Sequence, residues 1–168
     1  ASDVYKRQGW NNTVSYKNFD LNVFFRFSGG NKIMNASRQS ALFNMDFSNN
    51  GTEILGRWVS PEQPGDGMTP KIGYGDASSL FNDGYTDSHF VESGNYLKLS
   101  TLALGYTLPK AVVSKLNMTK IRFYVQGQNL LTITGYSGLD PETNSRLGVD
   151  WNGMPQQRSF TFGANITF

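Results

Sequence analysis

Apolar and polar residues alternate along five stretches of the chain, which is the pattern of a β-strand with one apolar face. The clearest stretch is the last, RSFTFGANITF, in which Phe160, Phe162, Ala164, Ile166 and Phe168 alternate with polar residues or glycine. The other four stretches are residues 11–18, 19–28, 95–109 and 120–133. The pattern predicts an all-β chain with about five antiparallel strands.

The connections between these strands alternate in length. In chain order they are a tight turn at Lys17-Asn18, a long segment at about 29–93, a short connection at 109–119 with one helical turn, and a second long segment at about 132–157. Short helices are predicted within the first long segment, near 36–45 and 52–58. Outer-membrane barrels have short periplasmic turns and long extracellular loops. The alternation therefore predicts part of a transmembrane β-barrel with two long extracellular loops.

Strand length supports a membrane barrel. Eleven residues at about 3.3 Å each extend roughly 36 Å, and a strand tilted by about 45° then crosses an apolar band of roughly 25 Å. Strands of soluble domains usually have about 5–6 residues. The chain contains no run near the ~18 apolar residues of a membrane helix, so any crossing must use strands.

Composition excludes several other classes of protein. The net charge of +2 in 168 residues does not suit a nucleic-acid binder, which needs a dense basic patch. The chain has no cysteine and a single histidine, His89, in a polar loop. It contains no HExxH, Walker or GxSxG pattern. We therefore predict that the protein is not an enzyme, and no cofactor is predicted.

Carboxylates gather in the long loops, where oxygen ligands could hold Ca²⁺. They are Asp76, Asp83, Asp87, Asp140 and Glu142. Their spacing matches no EF-hand, and aspartate is common in turns because its side chain accepts hydrogen bonds from nearby backbone N–H groups. Turn formation is therefore preferred to a calcium site.

Two groups of side chains are candidates for contact with a ligand. Loop aromatics could pack on sugar faces or on a partner surface, or could pack the loops themselves. They are Trp58, Tyr74, Tyr85, Tyr136 and Trp151. Polar strand residues on the face opposite the apolar one would line a wet lumen. They are Arg26, Arg122, Gln126 and Gln128.

The first eight residues, ASDVYKRQ, resemble translated sequencing-adapter sequence. We set residues 1–8 aside as a non-native or artefactual tail, the alternative being a polar loop. Residues 9–168 then form the C-terminal segment of a longer protein whose natural N-terminus is missing. Five strands cannot close a barrel by themselves, since the smallest barrels have eight.

Four segments together resemble the C-terminal end of SusC/RagA-type TonB-dependent outer-membrane receptors. They are VSYKNFDLNVFFRFSGGNKIMN, NYLKLSTLALGYTLP, IRFYVQGQNLLTITGYSGLDPE and RSFTFGANITF. The resemblance implies a 22-stranded barrel with an N-terminal plug, in contact with outer-membrane lipid. It also implies import of glycans or peptides with a SusD-type lipoprotein, powered by TonB through an N-terminal part that this chain lacks.

The final strand also resembles the signal by which the barrel assembly machinery recognises its substrates. An open strand edge can be recognised by strand addition, with alternate side chains providing specificity. The candidate signal residues are Phe160, Phe162, Ile166 and Phe168. The alternative is that Phe168 merely faces lipid.

A second class of function remains open from the residues alone. An apolar strand face can be buried against a second sheet as well as against lipid. The chain could then be a soluble β-sandwich module that binds carbohydrate. Strand length, loop alternation and the terminal phenylalanine favour the receptor.

Overall fold

The described residues form eight strands in two sheets. The computed structural model describes residues 6–39, 49–71, 88–142 and 148–168. The strands are β1 (Lys6–Tyr16), β2 (Phe19–Gly29), β3 (Lys32–Asn35), β4 (Val91–Ser93), β5 (Tyr96–Thr107), β6 (Lys120–Thr134), β7 (Val149–Asp150) and β8 (Ser159–Thr167). Within the described residues, no helix is both long enough and apolar enough to cross a membrane.

The five long strands form one antiparallel sheet in the order β1-β2-β5-β6-β8. Each strand therefore pairs with the long strand before it, and the predicted five strands are confirmed. The sheet belongs to the first of two compact units, called the sheet unit below. This unit consists of the residues up to 31 and of residues 94–135 and 156–168. Strand β1 begins at Lys6, so residues 6–8 of the segment set aside above pair with β2.

The two short connections of the sheet unit are tight. Tyr16 pairs directly with Phe19, which leaves a two-residue turn with Lys17 at a φ of 53°. The connection from β5 to β6 contains a short helix at Lys110–Val113 and a 3₁₀ turn at Ser114–Leu116, as the sequence predicts.

The register places apolar residues of all five strands on one face of the sheet. Direct partners across antiparallel strands share a face, and the row from Leu21 runs through Leu104 and Val125 to Phe162. Relative to β2, Ser100 is the extra residue of a β-bulge in β5. The bulge shifts the alternation by one position. The apolar side chains before it and after it in β5 therefore point to the same face.

Aromatic pairs reinforce this apolar face across strands. The rings of Trp10 and Phe25 stack at 5.8 Å, and those of Phe19 and Tyr106 lie 4.7 Å apart. Such pairs add to the stability that burial of the rings provides.

The opposite face of the sheet is polar. Each residue that directly follows or precedes a residue of the apolar face in its strand points to this side. Examples are Asp20, Thr101, Arg122, Gln126 and Thr161. The sheet therefore separates an apolar surface from a polar one along its whole width.

The second unit, called the loop unit below, consists of the two long connections, residues 32–93 and 136–155. Its sheet has the order β4-β3-β7, which the alternation pattern did not predict. Met34 and Phe90 form its core, with Ile54 and Val149 packed against them. Strands β3 and β7 pair in parallel, and the backbone N–H of Met34 donates to the carbonyl oxygen of Gly148 at 2.8 Å.

The helices predicted in the first long connection are short. Thr52–Gly56 forms a 3₁₀ turn within the predicted 52–58. Of the segment near 36–45, residues 36–39 are helical and the remainder lies outside the described residues.

Candidate functional site

An ion pair crosses the polar face of the sheet above β5. Arg122 Nε donates to Asp20 Oδ1 at 2.9 Å, and its Nη2 donates to Oδ2 at 2.5 Å. Their strands are separated by β5, where Gly105 lies between them. A Cβ on Gly105 would stand 2.3 Å from Arg122 Nη2 and 2.5 Å from Asp20 Oδ1. The missing Cβ of Gly105 therefore leaves the space in which the two charged groups meet.

Two further glycines on this face are covered by aromatic rings. The ring of Tyr124 on β6 lies over Gly163 on β8, and a Cβ there would stand 2.4 Å from it. The ring of Phe24 lies over Gly9 in the same way, at 3.0 Å. The side chains of Tyr124 and Phe24 thus lie over the neighbouring strands. The guanidinium of Arg122 in turn lies 5.3 Å from the centre of the Tyr124 ring.

The four residues predicted to line a lumen all lie on this polar face. Arg26 Nε donates to Ser100 Oγ at 2.8 Å, and Arg122 makes the ion pair with Asp20. Gln126 is half-buried, and Gln128 is exposed and accepts a hydrogen bond from Ser159 Oγ at 3.4 Å. Their contact with a lumen stays a prediction.

A buried tyrosine ties together the second long connection in the loop unit. Tyr136 is only 6% exposed, and its hydroxyl donates to Asp150 Oδ2 at 2.6 Å. Its ring occupies the space that a Cβ on Gly138 would need, at 2.4 Å. Burial raises the pKa of Tyr136 above its ordinary value, and the hydrogen bond to Asp150 and the negative charges of Asp150 and Glu92 raise it further.

Glu92 joins the two long connections within the loop unit. Its carboxylate accepts hydrogen bonds from the backbone N–H and the hydroxyl of Ser137, at 2.8 and 2.7 Å, and from Asn35 Nδ2 at 3.2 Å. Arg38 Nη1 lies 3.6 Å from it. Arg38 also donates twice to Glu53 Oε2, at 2.9 and 2.7 Å.

A cleft of about 240 Å³ opens beside these groups in the loop unit. Its walls are built by the end of β3 and the residues after it, by the 3₁₀ turn, and by the second long connection. The lining residues are Asn35, Ser37, Arg38, Glu53, Ser137, Gly138, Leu139, Asp150 and Asn152.

The predicted loop aromatics occupy different environments. Trp151 is 71% exposed and lies between Asp150 and Asn152, both of which line the cleft. Trp58 is 36% exposed, and Lys71 Nζ stands 5.9 Å from its ring centre. Tyr136 is buried as described above. Tyr74 and Tyr85 lie outside the described residues.

The carboxylates considered for calcium are only partly described. Asp140 accepts a hydrogen bond from the backbone N–H of Glu142 at 2.9 Å, which is a turn contact. Asp76, Asp83 and Asp87 lie outside the described residues. Across the described ranges, no three histidine, aspartate or glutamate side chains lie close enough to hold a metal ion. The His89 ring packs edge-on against Phe90.

The predicted assembly-signal residues lie on and beyond β8. Phe160, Phe162 and Ile166 face the apolar side of the sheet, where they pair with Gly127, Val125 and Ile121. Phe168 follows the last residue of β8 and is exposed. Recognition of these residues by an assembly machinery stays a prediction.

Sequence reasoning missed Asp20, Gly105 and Glu92. Glycines inside two strands, Gly105 and Gly163, were the available signal, because glycine within a strand often marks a close approach of another group. No comparable local signal marks Glu92, whose partners come from distant parts of the chain.

A sheet with one apolar and one polar face, long strands, and alternating short and long connections is typical of a segment of an outer-membrane barrel. The chain is 33% identical over 170 residues to TonB-dependent receptor P3 of Formosa agariphila, covering 95% of this chain and 16% of the relative. It is 27% identical over 184 residues to TonB-dependent receptor SusC of Bacteroides thetaiotaomicron, covering all of this chain and 15% of SusC. No family model matches the chain.

Solved structures agree with these relatives. The RagAB peptide importer superimposes with a TM-score of 0.79 in both its "open-open" and its "closed-closed" state. Identity is 25% in each, over 96% of this chain and 17% of that chain. The chain thus corresponds in sequence and fold to a segment of a SusC/RagA-type TonB-dependent receptor, as its motifs indicate. It spans about a sixth of the length of the relatives.

These relatives bear the names of receptors and importers, and none of the names is that of an enzyme. They favour the receptor interpretation over the soluble β-sandwich module.

Proposed function

We propose that the protein containing this chain is an outer-membrane, TonB-dependent importer of glycans or peptides, and that it is not an enzyme. The observation that carries the proposal is the two-faced sheet. Its apolar face runs unbroken across five strands and leaves large side chains exposed, such as Phe123, Leu131 and Phe162. Contact with lipid would cover this face, and the polar face would line the interior.

The proposal includes three protein partners. A SusD-type lipoprotein would act with the receptor at the cell surface, and the names SusC and RagAB among the relatives support this pairing. TonB would engage a part of the receptor outside this chain. The barrel assembly machinery would recognise the last strand through Phe160, Phe162, Ile166 and Phe168.

Gene deletion in the native host tests the import function. Strains that lack the full-length receptor would be grown on single glycans or peptide mixtures as sole nutrients, beside complemented strains and strains that lack TonB. We expect growth on one nutrient class to fail in the receptor and TonB deletions and to return on complementation. Unchanged growth of the receptor deletion on every nutrient taken up through TonB would contradict the proposal.

A further inference from the structure

Charged side chains of one sign dominate the sheet unit. Its described residues carry ten lysine and arginine side chains, whereas Asp20 is their one acidic side chain. Asp20 already accepts the hydrogen bonds of Arg122 on the polar face. The described sheet unit therefore cannot neutralise most of its cations by itself.

Three lysines lie at the end of the sheet where the two short connections are. Lys17 belongs to the turn from β1 to β2, and Lys110 and Lys115 belong to the connection from β5 to β6. The two connections are neighbours, because the backbone N–H of Thr107 donates to the carbonyl oxygen of Asn18 at 2.8 Å. The three lysines, called the rim lysines below, are all exposed. No carboxylate of the described residues forms an ion pair with them.

A row of aromatic side chains on the apolar face borders the rim lysines. Its members are direct register partners across four strands, and they are Tyr16, Phe19, Tyr106 and Phe123. Tyr16 is 68% exposed, and Phe19 and Phe123 are each 50% exposed. The ammonium group of Lys17 lies 5.3 Å from the centre of the Tyr16 ring. The side chain of Lys17 therefore lies beside the apolar face and not on the polar one.

Exposed aromatic rings followed by lysines are typical of the boundary between a bilayer and water. Tyrosine is enriched at the level of the headgroups, because its ring is apolar and its hydroxyl is polar. Lysine covers apolar surface with its methylene groups and keeps its ammonium group in the polar layer. The short turns of outer-membrane barrels lie on the periplasmic side. Under the proposed function, the rim lysines are therefore level with the headgroups of the periplasmic leaflet.

We propose that the rim lysines and the aromatic row form a binding surface for anionic phospholipids of the periplasmic leaflet. The lysine ammonium groups contact the headgroup phosphate, and the acyl chain lies against the aromatic row. A zwitterionic headgroup carries a cation of its own, which the rim lysines repel. The inference rests on the proposed outer-membrane function and adds to it a selectivity among lipids.

Lys120 provides a matched control at the same end of the sheet. It is exposed like the rim lysines, but its position in β6, two residues before Arg122, places it on the polar face. Its charge acts there on Asp20. Replacement of Lys120 by glutamine therefore removes the same charge without changing the surface proposed to contact lipid.

Fluorescence quenching by spin-labelled lipids tests the proposal on the full-length receptor in phosphatidylcholine vesicles. Bimane attached to Val112→Cys is the reporter, because Val112 lies between Lys110 and Lys115 and is 45% exposed. The chain has no cysteine of its own, and the receptor without the added cysteine gives the labelling background. The probes are phosphatidylglycerol and phosphatidylcholine, each with a nitroxide near the top of one acyl chain. One variant replaces all three rim lysines by glutamine, and Lys120→Gln is the control.

We expect phosphatidylglycerol to quench the reporter as strongly as phosphatidylcholine does at about five times its concentration. Fivefold is roughly the effect of one lysine near an anionic surface. The preference should fall toward one in the triple variant and at high salt, because salt screens exposed charges. It should keep its wild-type value in Lys120→Gln.

Three results would overturn the binding surface and leave the import function intact. They are equal quenching by the two lipids, a preference that the triple variant retains, and an equal loss of preference in the triple variant and in Lys120→Gln. Quenching by neither lipid would instead contradict the contact of the apolar face with the membrane, and with it the proposed function. Heat-modifiable migration of each variant confirms that the receptor under test is folded.

Discussion

At the scale of single residues, glycine decides which side chains meet on the polar face of the sheet. Gly105 carries no Cβ in the space where Arg122 and Asp20 approach. Gly163 and Gly9 make room for the rings of Tyr124 and Phe24 in the same way. The missing Cβ atoms therefore leave room for these four side chains to lie over neighbouring strands.

Gly105→Ala is expected to break the Asp20–Arg122 ion pair. The two side chains are 32% and 23% exposed, so the loss in the free energy of unfolding should be modest, about 0.5–1 kcal/mol. Urea unfolding of the receptor in lipid vesicles measures it, with Gly29→Ala as the control because a Cβ there meets no atom within 4 Å.

A double-mutant cycle then assigns the cause. The coupling between Asp20→Asn and Arg122→Gln should be measurable with Gly105 present and fall toward zero in Gly105→Ala. The same coupling energy in both backgrounds would show that the ion pair does not depend on the glycine.

Tyr136 predicts a pH dependence for the loop unit. Its pKa is higher in the folded protein than in the unfolded chain, because burial and the bond to Asp150 favour the protonated hydroxyl. The stabilisation is therefore complete below about pH 10, the pKa of an unperturbed tyrosine, and is lost as the pH rises above it. Tyr136→Phe removes both the hydrogen bond and this dependence.

Limited proteolysis from pH 8 to 11 measures the effect, with an alkaline-tolerant protease. At pH 8 the protease should cleave the wild-type loop unit more slowly than that of Tyr136→Phe. The free energy of the local opening that exposes the cleavage sites should be about 1–3 kcal/mol higher in the wild type. The ratio of the two rates at each pH cancels the protease's own pH dependence. A ratio that stays constant to pH 11 is the result that opposes this prediction.

At the scale of elements, the two long connections fold together through a small shared core. Met34 on β3 packs with Phe90, and Val149 on β7 packs against them. The parallel pairing of β3 and β7 joins the same two chain segments. In the described residues, the first connection pairs β3 with β4, whereas the second contributes only β7, which pairs with β3.

Met34→Ala should therefore loosen both connections. Truncation of a buried methionine costs about 2–5 kcal/mol, and the loss is expected to raise protease cleavage within 32–93 and within 136–155. Met154→Ala is the matched control, because Met154 is 81% exposed. Mass spectrometry of the cleavage products locates the sites. Cleavage that rises only within 32–93 would count against a shared core.

At the scale of the whole molecule, the sheet has an apolar surface on one side and a polar surface on the other. Leu102 lies on the apolar face near the middle of β5, and its neighbour Thr101 lies on the polar face. Lysine on the lipid face of a barrel costs about 2–4 kcal/mol at the membrane midplane. Leu102→Lys should reduce the folded receptor in the outer membrane, while Thr101→Lys should have little effect.

Heat-modifiable migration in gel electrophoresis measures the folded fraction of both variants. Equal folded amounts of Leu102→Lys and Thr101→Lys would argue that the apolar face does not contact lipid.

The assembly signal makes a prediction for the last strand of the receptor. If Phe168 is part of the signal, Phe168→Ala should lower the amount of folded receptor that reaches the outer membrane severalfold without changing its stability once folded. Phe123→Ala is the control, because Phe123 is an exposed aromatic residue on the same apolar face. Equal yields of the two variants would favour the alternative that Phe168 only faces lipid.

The sequence by itself determined the five long strands, their faces and the order of short and long connections. These features are local: side chains alternate in direction along a strand, so a period of two reports its faces directly. The four polar residues predicted on one face, including Arg26 and Gln128, lie together there for the same reason. The motifs of the same strands were enough to indicate the SusC/RagA type.

The tertiary structure alone decided which distant residues meet. Asp20 and Arg122 are 102 positions apart in the chain, and Met34 pairs with Val149 through a parallel ladder. Strands of two and four residues carry too few positions for a period to be recognised, which is why β3 and β7 were missed. The cleft likewise draws its walls from three separate segments, and its shape depends on a packing that no local pattern encodes.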